Sequence, residues 1–228
     1  MIDPSRPGWS WSPADLDALL REAGALSARI LDDARTGDVT EPMPAELLGR
    51  MASRPAPSTG TGATDVFAEI AAEIAPYPFG NGHPRFFAWV NSPPHPVGVA
   101  AEAVAAALNP SVAGGRHAAV HLEHEVARWF LGLLGWAPPA SYGLLVSGGS
   151  AATLTALTAA RRRAYASVGL DVRADGTAGA RPVVYATAAA HSCVVKAVET
   201  LGLGNANIRR VPVDDAHRMV PGELARPT

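Results

Sequence analysis

The stretch LLVSGGSAATLTALTAARRRA, residues 144–164, passes from an apolar run through two glycines and a serine into a long alanine-rich segment. Leu144, Leu145 and Val146 read as a short buried strand. Leu154, Leu157 and Ala160, followed by Arg161, Arg162 and Arg163, read as a helix with a cationic end. Gly148, Gly149 and Ser150 therefore sit where a strand hands over to a helix. Such a turn leaves backbone N–H groups unpaired at the positive end of the helix dipole, and glycine lets an anionic group approach the backbone closely. The amides of Gly149 and Ser150, with the Ser150 hydroxyl, make a cup suited to one phosphate monoester. A purely structural turn is the competing reading. The chain has neither a GxxxxGK[ST] loop nor a GxGxxG pattern, so nucleoside triphosphates and dinucleotides are poor guests.

Downstream, PVVYAT (182–187), SCVVKAVETLG (192–202) and NIRRVPVD (207–214) continue the order strand, helix, strand. Strands alternating with helices argue for an α/β layer with substantially parallel strands. His191 lies between a strand and the next helix, at the sheet edge that holds the glycine turn, and ligands of open α/β sheets gather at that edge. A helix-capping or part-buried histidine is the plain reading. Beside a phosphate cup, His191 is also a candidate for stacking on a flat ligand. Cys193 is two residues away, and on a helix such positions point in different directions, so it reads as a packed thiol rather than a nucleophile.

Upstream, Ser12-Pro13-Ala14-Asp15 is a helix start, with a capping serine, proline at the first helical position and an acid in the first turn. Leu16, Leu19, Leu20, Ala23, Ile30 and Leu31 mark its apolar face to about residue 34. Residues 50–65 are rich in Pro, Ser, Thr and Gly and read as an exposed connection. Further helices are expected over 65–74, 97–108 and 118–134, with 77–96 a loop around the short apolar centre Phe86 to Val90. His117, His121 and His124 would fall on one helical face with Glu125 nearby, which raises a metal site. The pattern matches no zinc spacing, and no metal is expected.

A chain of 228 residues with 48% apolar content can bury a real core. A formal charge of -2 offers no general attraction for nucleic acid or acidic membranes. No segment approaches the length of a membrane span, the N-terminus lacks a secretory pattern, and the cytoplasm is the expected location. Cys193 is the only cysteine, so neither an intrachain disulfide nor a cysteine metal cluster can form. Lys196 is the only lysine.

Four segments, in this order, resemble the group II pyridoxal-phosphate-dependent amino-acid decarboxylases, the family of aromatic-L-amino-acid, tyrosine, histidine and glutamate decarboxylases. HPRFFAWVNS (83–92) is similar to the family's HPxFFA segment, and HLEHEVARWF (121–130) to its TELExxxxxWL helix. SGGSAATLTALTAAR (147–161) is similar to its SGGSEAN or SASEAT phosphate turn, and AHSCVVKA (190–197) to its AHxSxxKA segment. Ala151 stands where the phosphate motif usually has glutamate, and His121 where the helix motif usually has threonine.

The resemblance implies an incomplete fold type I large domain, of the aspartate aminotransferase kind, preceded by a helical arm: residues 1–90 as arm and linker, 91–228 as the first part of the cofactor domain. It implies pyridoxal 5'-phosphate as cofactor, with Gly149 and Ser150 on its phosphate and His191 stacked on its ring and assisting protonation. Ser92 falls near cofactor and substrate. The implied reaction is decarboxylation of an amino acid, with an aromatic substrate as one candidate, in a homodimer. The family's Schiff-base lysine and ring-nitrogen aspartate lie downstream of AHxSxxKA, and Lys196 matches the lysine inside that motif. The chain is therefore expected to be an N-terminal portion, inactive alone. The alternative is a non-catalytic homologue that binds a phosphate ligand or a partner subunit.

Overall fold

The computed structural model describes residues 11–111, 117–136, 141–177, 179–180 and 182–225. Contacts divide the chain into two compact units, Met1–Pro110 and Ser111–Thr228. Pro93, Pro94 and Pro96 line a cleft of the first unit with Ala28, Leu31 and Arg35.

The first unit is helical. Helix α1 (Pro13–Thr36) begins with the capping box read from the sequence: the Asp15 N–H donates to Ser12 Oγ and the Ser12 N–H to Asp15 Oδ2, both at 3.1 Å. These bonds satisfy donors that no intrahelical carbonyl can reach. Helix α2 (Ala45–Ser53) buries Leu47, and its last turn runs into the stretch 50–65 that reads from the sequence as an exposed connection, so that connection begins only after Ser53. Helix α3 (Ala63–Glu69) runs into a π-helical turn, Ile70–Ile74, closed by the Ala75 N–H donating to the Ile70 carbonyl at 2.8 Å. Arg50 of α2 and Arg54, just past its end, reach across to Glu73, and Arg54 also pairs with Glu69.

In the loop that follows, Trp89 stacks on Phe79 with ring centroids 4.8 Å apart. Gly80 has φ +94°, and a Cβ there would come within 2.5 Å of the Phe86 ring, so glycine is required. Helix α4 (Pro96–Leu108) starts where His95 Nδ1 accepts the Val97 N–H at 3.3 Å and ends on Asn109 in the left-handed conformation. Its residues are almost all apolar, yet none is buried.

The second unit opens with α5 (Ala118–Leu133), which buries Ala127 and Leu131. Helix α6 (Gly149–Ala166) follows the glycine turn and buries Tyr165. Strand β1 (Val184–Thr187), helix α7 (Cys193–Thr200) and strand β2 (Ile208–Val211) form a βαβ unit with parallel strands in the register Val184 to Ile208 and Thr187 to Val211. Val198 of α7 is fully buried, and Ala186 and Val211 face the same core. This is the α/β layer expected from the alternation of strand and helix.

The strand expected at Leu144–Val146 is not formed. The segment is irregular, with Leu144 and Leu145 about half exposed. Among the described residues only β1 and β2 pair as strands. Three apolar residues become a strand only when a neighbour supplies ladder bonds, and here none does.

Candidate functional site

The N-terminus of α6 is built by one unusual residue. Gly148 has φ +134° and ψ 172°, a region essentially restricted to glycine. In this conformation its N–H donates to the Val146 carbonyl at 2.8 Å, and its own carbonyl accepts the Ala152 N–H at 3.0 Å, starting the helix. Gly148 reverses the chain and launches α6 in a single step. Whereas α1 has its Ser12 cap, no side chain caps α6. A Cβ added at Gly148 or Gly149 would meet nothing within 4 Å. Gly149 and Ser150, the first residues of α6, are both exposed at the positive end of a helix of 18 residues. That combination favours an anion with several acceptor oxygens.

His191 precedes α7 and is exposed. Its Nδ1 accepts the N–H of Cys193, the first residue of α7, at 3.2 Å, so the histidine satisfies an open helix amide from the position before the Ser192 cap. The same bond fixes the ring: with Nδ1 as acceptor, the neutral imidazole carries its hydrogen on Nε2. Capping by Nδ1 leaves the ring faces and Nε2 outside the bond, so the capping role and a ligand role are compatible.

Two side-chain bonds set α6 and α7 side by side. Thr153 Oγ1 and Cys193 Sγ share a hydrogen bond at 3.4 Å. Arg161 Nη1 donates to the Leu201 carbonyl at 2.8 Å. From Thr153 to Arg161 and from Cys193 to Leu201 the helical rise is the same, about 12 Å, so the helices run parallel and in step. Their N-termini therefore share one end of the pair, which brings the glycine turn and His191 to the same edge, as their sequence order suggested. Cys193 spends its thiol on Thr153 and its amide on His191, and forms no thiol–imidazole dyad. Sequence reasoning passed over Thr153, because nothing in a helical threonine announces a partner 40 residues away.

The remaining candidates are dispersed. Ser92 belongs to the first unit, where it lines a cleft with Ile30, Asp33, Glu41 and Asn81. His117 is the residue before α5 and its Nε2 bonds the Ser111 carbonyl at 2.7 Å. His124 Nε2 lies 3.4 Å from the Tyr142 hydroxyl, and His121 is exposed. Among the described residues no group of three or more His, Cys, Asp or Glu side chains is placed to hold a metal ion. No helix of the described residues is long and apolar enough to cross a membrane. Lys196 is exposed on α7.

The family described as the pyridoxal-dependent decarboxylase conserved domain matches residues 46–227. An aromatic-L-amino-acid decarboxylase of Bacillus atrophaeus is 34% identical over 146 residues, 63% of this chain and 28% of the relative. Human cysteine sulfinic acid decarboxylase is 28% identical over 229 aligned positions, 96% of this chain and 44% of the relative. The crystal structure of mouse CSAD superposes with a TM-score of 0.80 at 25% identity, covering 94% of this chain and 45% of that one. The chain thus spans less than half the length of each of these relatives.

Proposed function

The chain belongs to the pyridoxal-dependent decarboxylase family and carries part of its fold type I α/β domain, and from that premise we propose that it is the N-terminal portion of an amino-acid carboxy-lyase. In this reading residues 1–90 are arm and linker, and 91–228 begin the cofactor domain. The observation that carries it is the uncapped, glycine-built N-terminus of α6 at the same edge as the exposed imidazole of His191.

The residues present fit pyridoxal phosphate. Neither Gly148 nor Gly149 places a side chain in front of the helix end, so a phosphate can reach the Gly149 and Ser150 amides. The Ser150 hydroxyl adds a donor. His191 offers a flat ring for stacking and holds a proton at Nε2, because Cys193 engages Nδ1. Bound there, the cofactor supplies an electron sink for the pair left behind when carbon dioxide departs. The protein's part is to fix the phosphate, set the imidazole against the ring and deliver a proton from Nε2. Ser92 keeps a substrate-proximal role as part of the proposal.

The substrate is an amino acid, and we favour an aromatic one. Support comes from the Bacillus atrophaeus relative, named for aromatic amino acids. The human relative is named for cysteine sulfinic acid, so an acidic substrate is the competitor. We further propose a cytoplasmic homodimer, an assembly in keeping with the exposed apolar helix α4.

One observation favours a second reading for the isolated chain. Lys196 is its only lysine, at the position inside the AHSCVVKA motif rather than at that of the cofactor-binding lysine. These 228 residues alone should not decarboxylate, and a non-catalytic homologue that binds a phosphate ligand or a partner subunit is the alternative. Carbon dioxide release by the protein isolated from its source, assayed with aromatic and acidic amino acids, tests both. Turnover of aromatic substrates is expected. Preference for acidic ones overturns the substrate choice, and no release from any of them favours the non-catalytic homologue.

A further inference from the structure

We infer that Thr153 and Cys193 are positioning residues that set the spacing between the phosphate cup and the ring-stacking imidazole. The inference rests on the cofactor-site reading above and adds the device by which two separate elements act as one site.

The cup belongs to α6 and the imidazole to the start of α7, and 40 residues of chain separate Thr153 from Cys193. A phosphate group and a pyridine ring joined in one small molecule have a fixed separation. The protein must match it, because a misplacement of about 1 Å is enough to weaken a positioned contact. One continuous path of bonds supplies the match. Gly149 and Ser150 open α6, and Thr153 lies one turn further along the same rigid helix. Thr153 Oγ1 bonds Cys193 Sγ at 3.4 Å, and the Cys193 N–H bonds His191 Nδ1 at 3.2 Å. Cys193 is thus the hinge piece, its side chain tied to one half of the site and its amide to the other. Arg161, in the body of α6, holds Leu201 at the far end of α7, which keeps α7 from pivoting about the Thr153 contact.

The test uses the full 228-residue chain with two ligands, pyridoxine 5'-phosphate and inorganic phosphate. Pyridoxine phosphate carries a hydroxymethyl group in place of the aldehyde, so it cannot condense with Lys196. It needs cup and ring together, whereas inorganic phosphate needs the cup alone. Thr153→Val and Cys193→Ala should each weaken pyridoxine phosphate binding roughly three- to fivefold, the effect of about one net hydrogen bond, and leave phosphate binding within about twofold. The double variant should be no worse than either single one, since both remove the same bond. Cys193→Ser, which keeps a hydroxyl toward Thr153, should retain the wild-type ratio. Nitrogen-15 spectra of the His191 ring provide a control without ligand: every variant keeps the backbone N–H of residue 193, so the Nε2–H tautomer should dominate in all of them, and a loss confined to pyridoxine phosphate is then one of spacing. Parallel loss of both ligands, or no change in their ratio, overturns the inference. A wild-type chain that binds pyridoxine phosphate no better than phosphate instead overturns the cofactor-site reading, and the inference with it.

Discussion

Arg161 Nη1 donates to the Leu201 carbonyl at 2.8 Å, closing the C-terminal end of α7 against the body of α6. The bond comes from a charged donor in a part-buried setting, where such bonds are worth about 1.5–3 kcal/mol. Replacing Arg161 by leucine removes it and leaves a helix-end carbonyl without that partner. Amide hydrogen exchange in the last turn of α7 should then speed up by about tenfold or more, while α1 is unaffected. Equal exchange in both proteins would show that packing of Val198 and Ala197 alone holds α7 in place.

The two glycines of the turn should separate stability from binding. Gly148 occupies a conformation that costs any other residue about 1–3 kcal/mol, so Gly148→Ala should destabilise the second unit. Gly149 is already helical, where alanine is favoured over glycine by about 1 kcal/mol. Gly149→Ala should therefore leave the fold intact or firmer, yet put a methyl group in the open space before the helix end and weaken phosphate binding. Phosphorus-31 titrations alongside unfolding curves distinguish the two effects. Undiminished phosphate binding by Gly149→Ala would remove the cup from this position.

How much of this was written in the sequence depends on how local the cause is. The Ser12–Asp15 capping box, the extent of α1 and the βαβ unit each follow from neighbours within a few residues, and all were legible. Helix α2 was not, because Pro44 offers no side-chain cap and nine residues carry little periodic signal. The π-helical turn at Ile70–Ile74 changes the winding without changing which residues look helical. Leu144–Val146 has the composition of a strand but finds no ladder partner among the described residues, and composition cannot report a partner. At the site, the glycine turn and His191 were legible as residue types, whereas the Thr153–Cys193 bond depends on two distant segments meeting. The three histidines from 117 to 124 show the converse failure. A helical wheel placed them together, but His117 stands before the helix and His124 turns to Tyr142.

In the first unit, the Arg50 guanidinium, and then that of Arg54, hold the Glu73 carboxyl below its ordinary value of 4.5. A carboxylate lowered in the folded state contributes stability above its unfolded value and loses it as pH falls through the folded one. The tie between α2 and the π-helical turn should therefore persist at neutral pH and loosen only below about pH 4.5. Carbon-13 titration of the Glu73 carboxyl should show the lowered midpoint, and Arg50→Met should raise it. A midpoint that ignores Arg50 would mean the pair is not formed in solution.

Helix α4 has no buried residue in spite of its apolar sequence, so little in the isolated chain protects it. Its amides should exchange quickly in these 228 residues and slowly in the protein isolated from its source, where the proposed assembly covers it. Strong protection in the isolated chain would mean that α4 needs no further partner.

The central claim is that this chain contributes the phosphate cup and ring-stacking face of a pyridoxal phosphate site whose covalent lysine is not among these residues. Borohydride reduction of the protein isolated from its source, followed by intact mass and peptide mapping, tests it most directly. One pyridoxyl group is expected, on a lysine other than Lys196. An adduct confined to Lys196, or a protein that carries no pyridoxyl group, would contradict it.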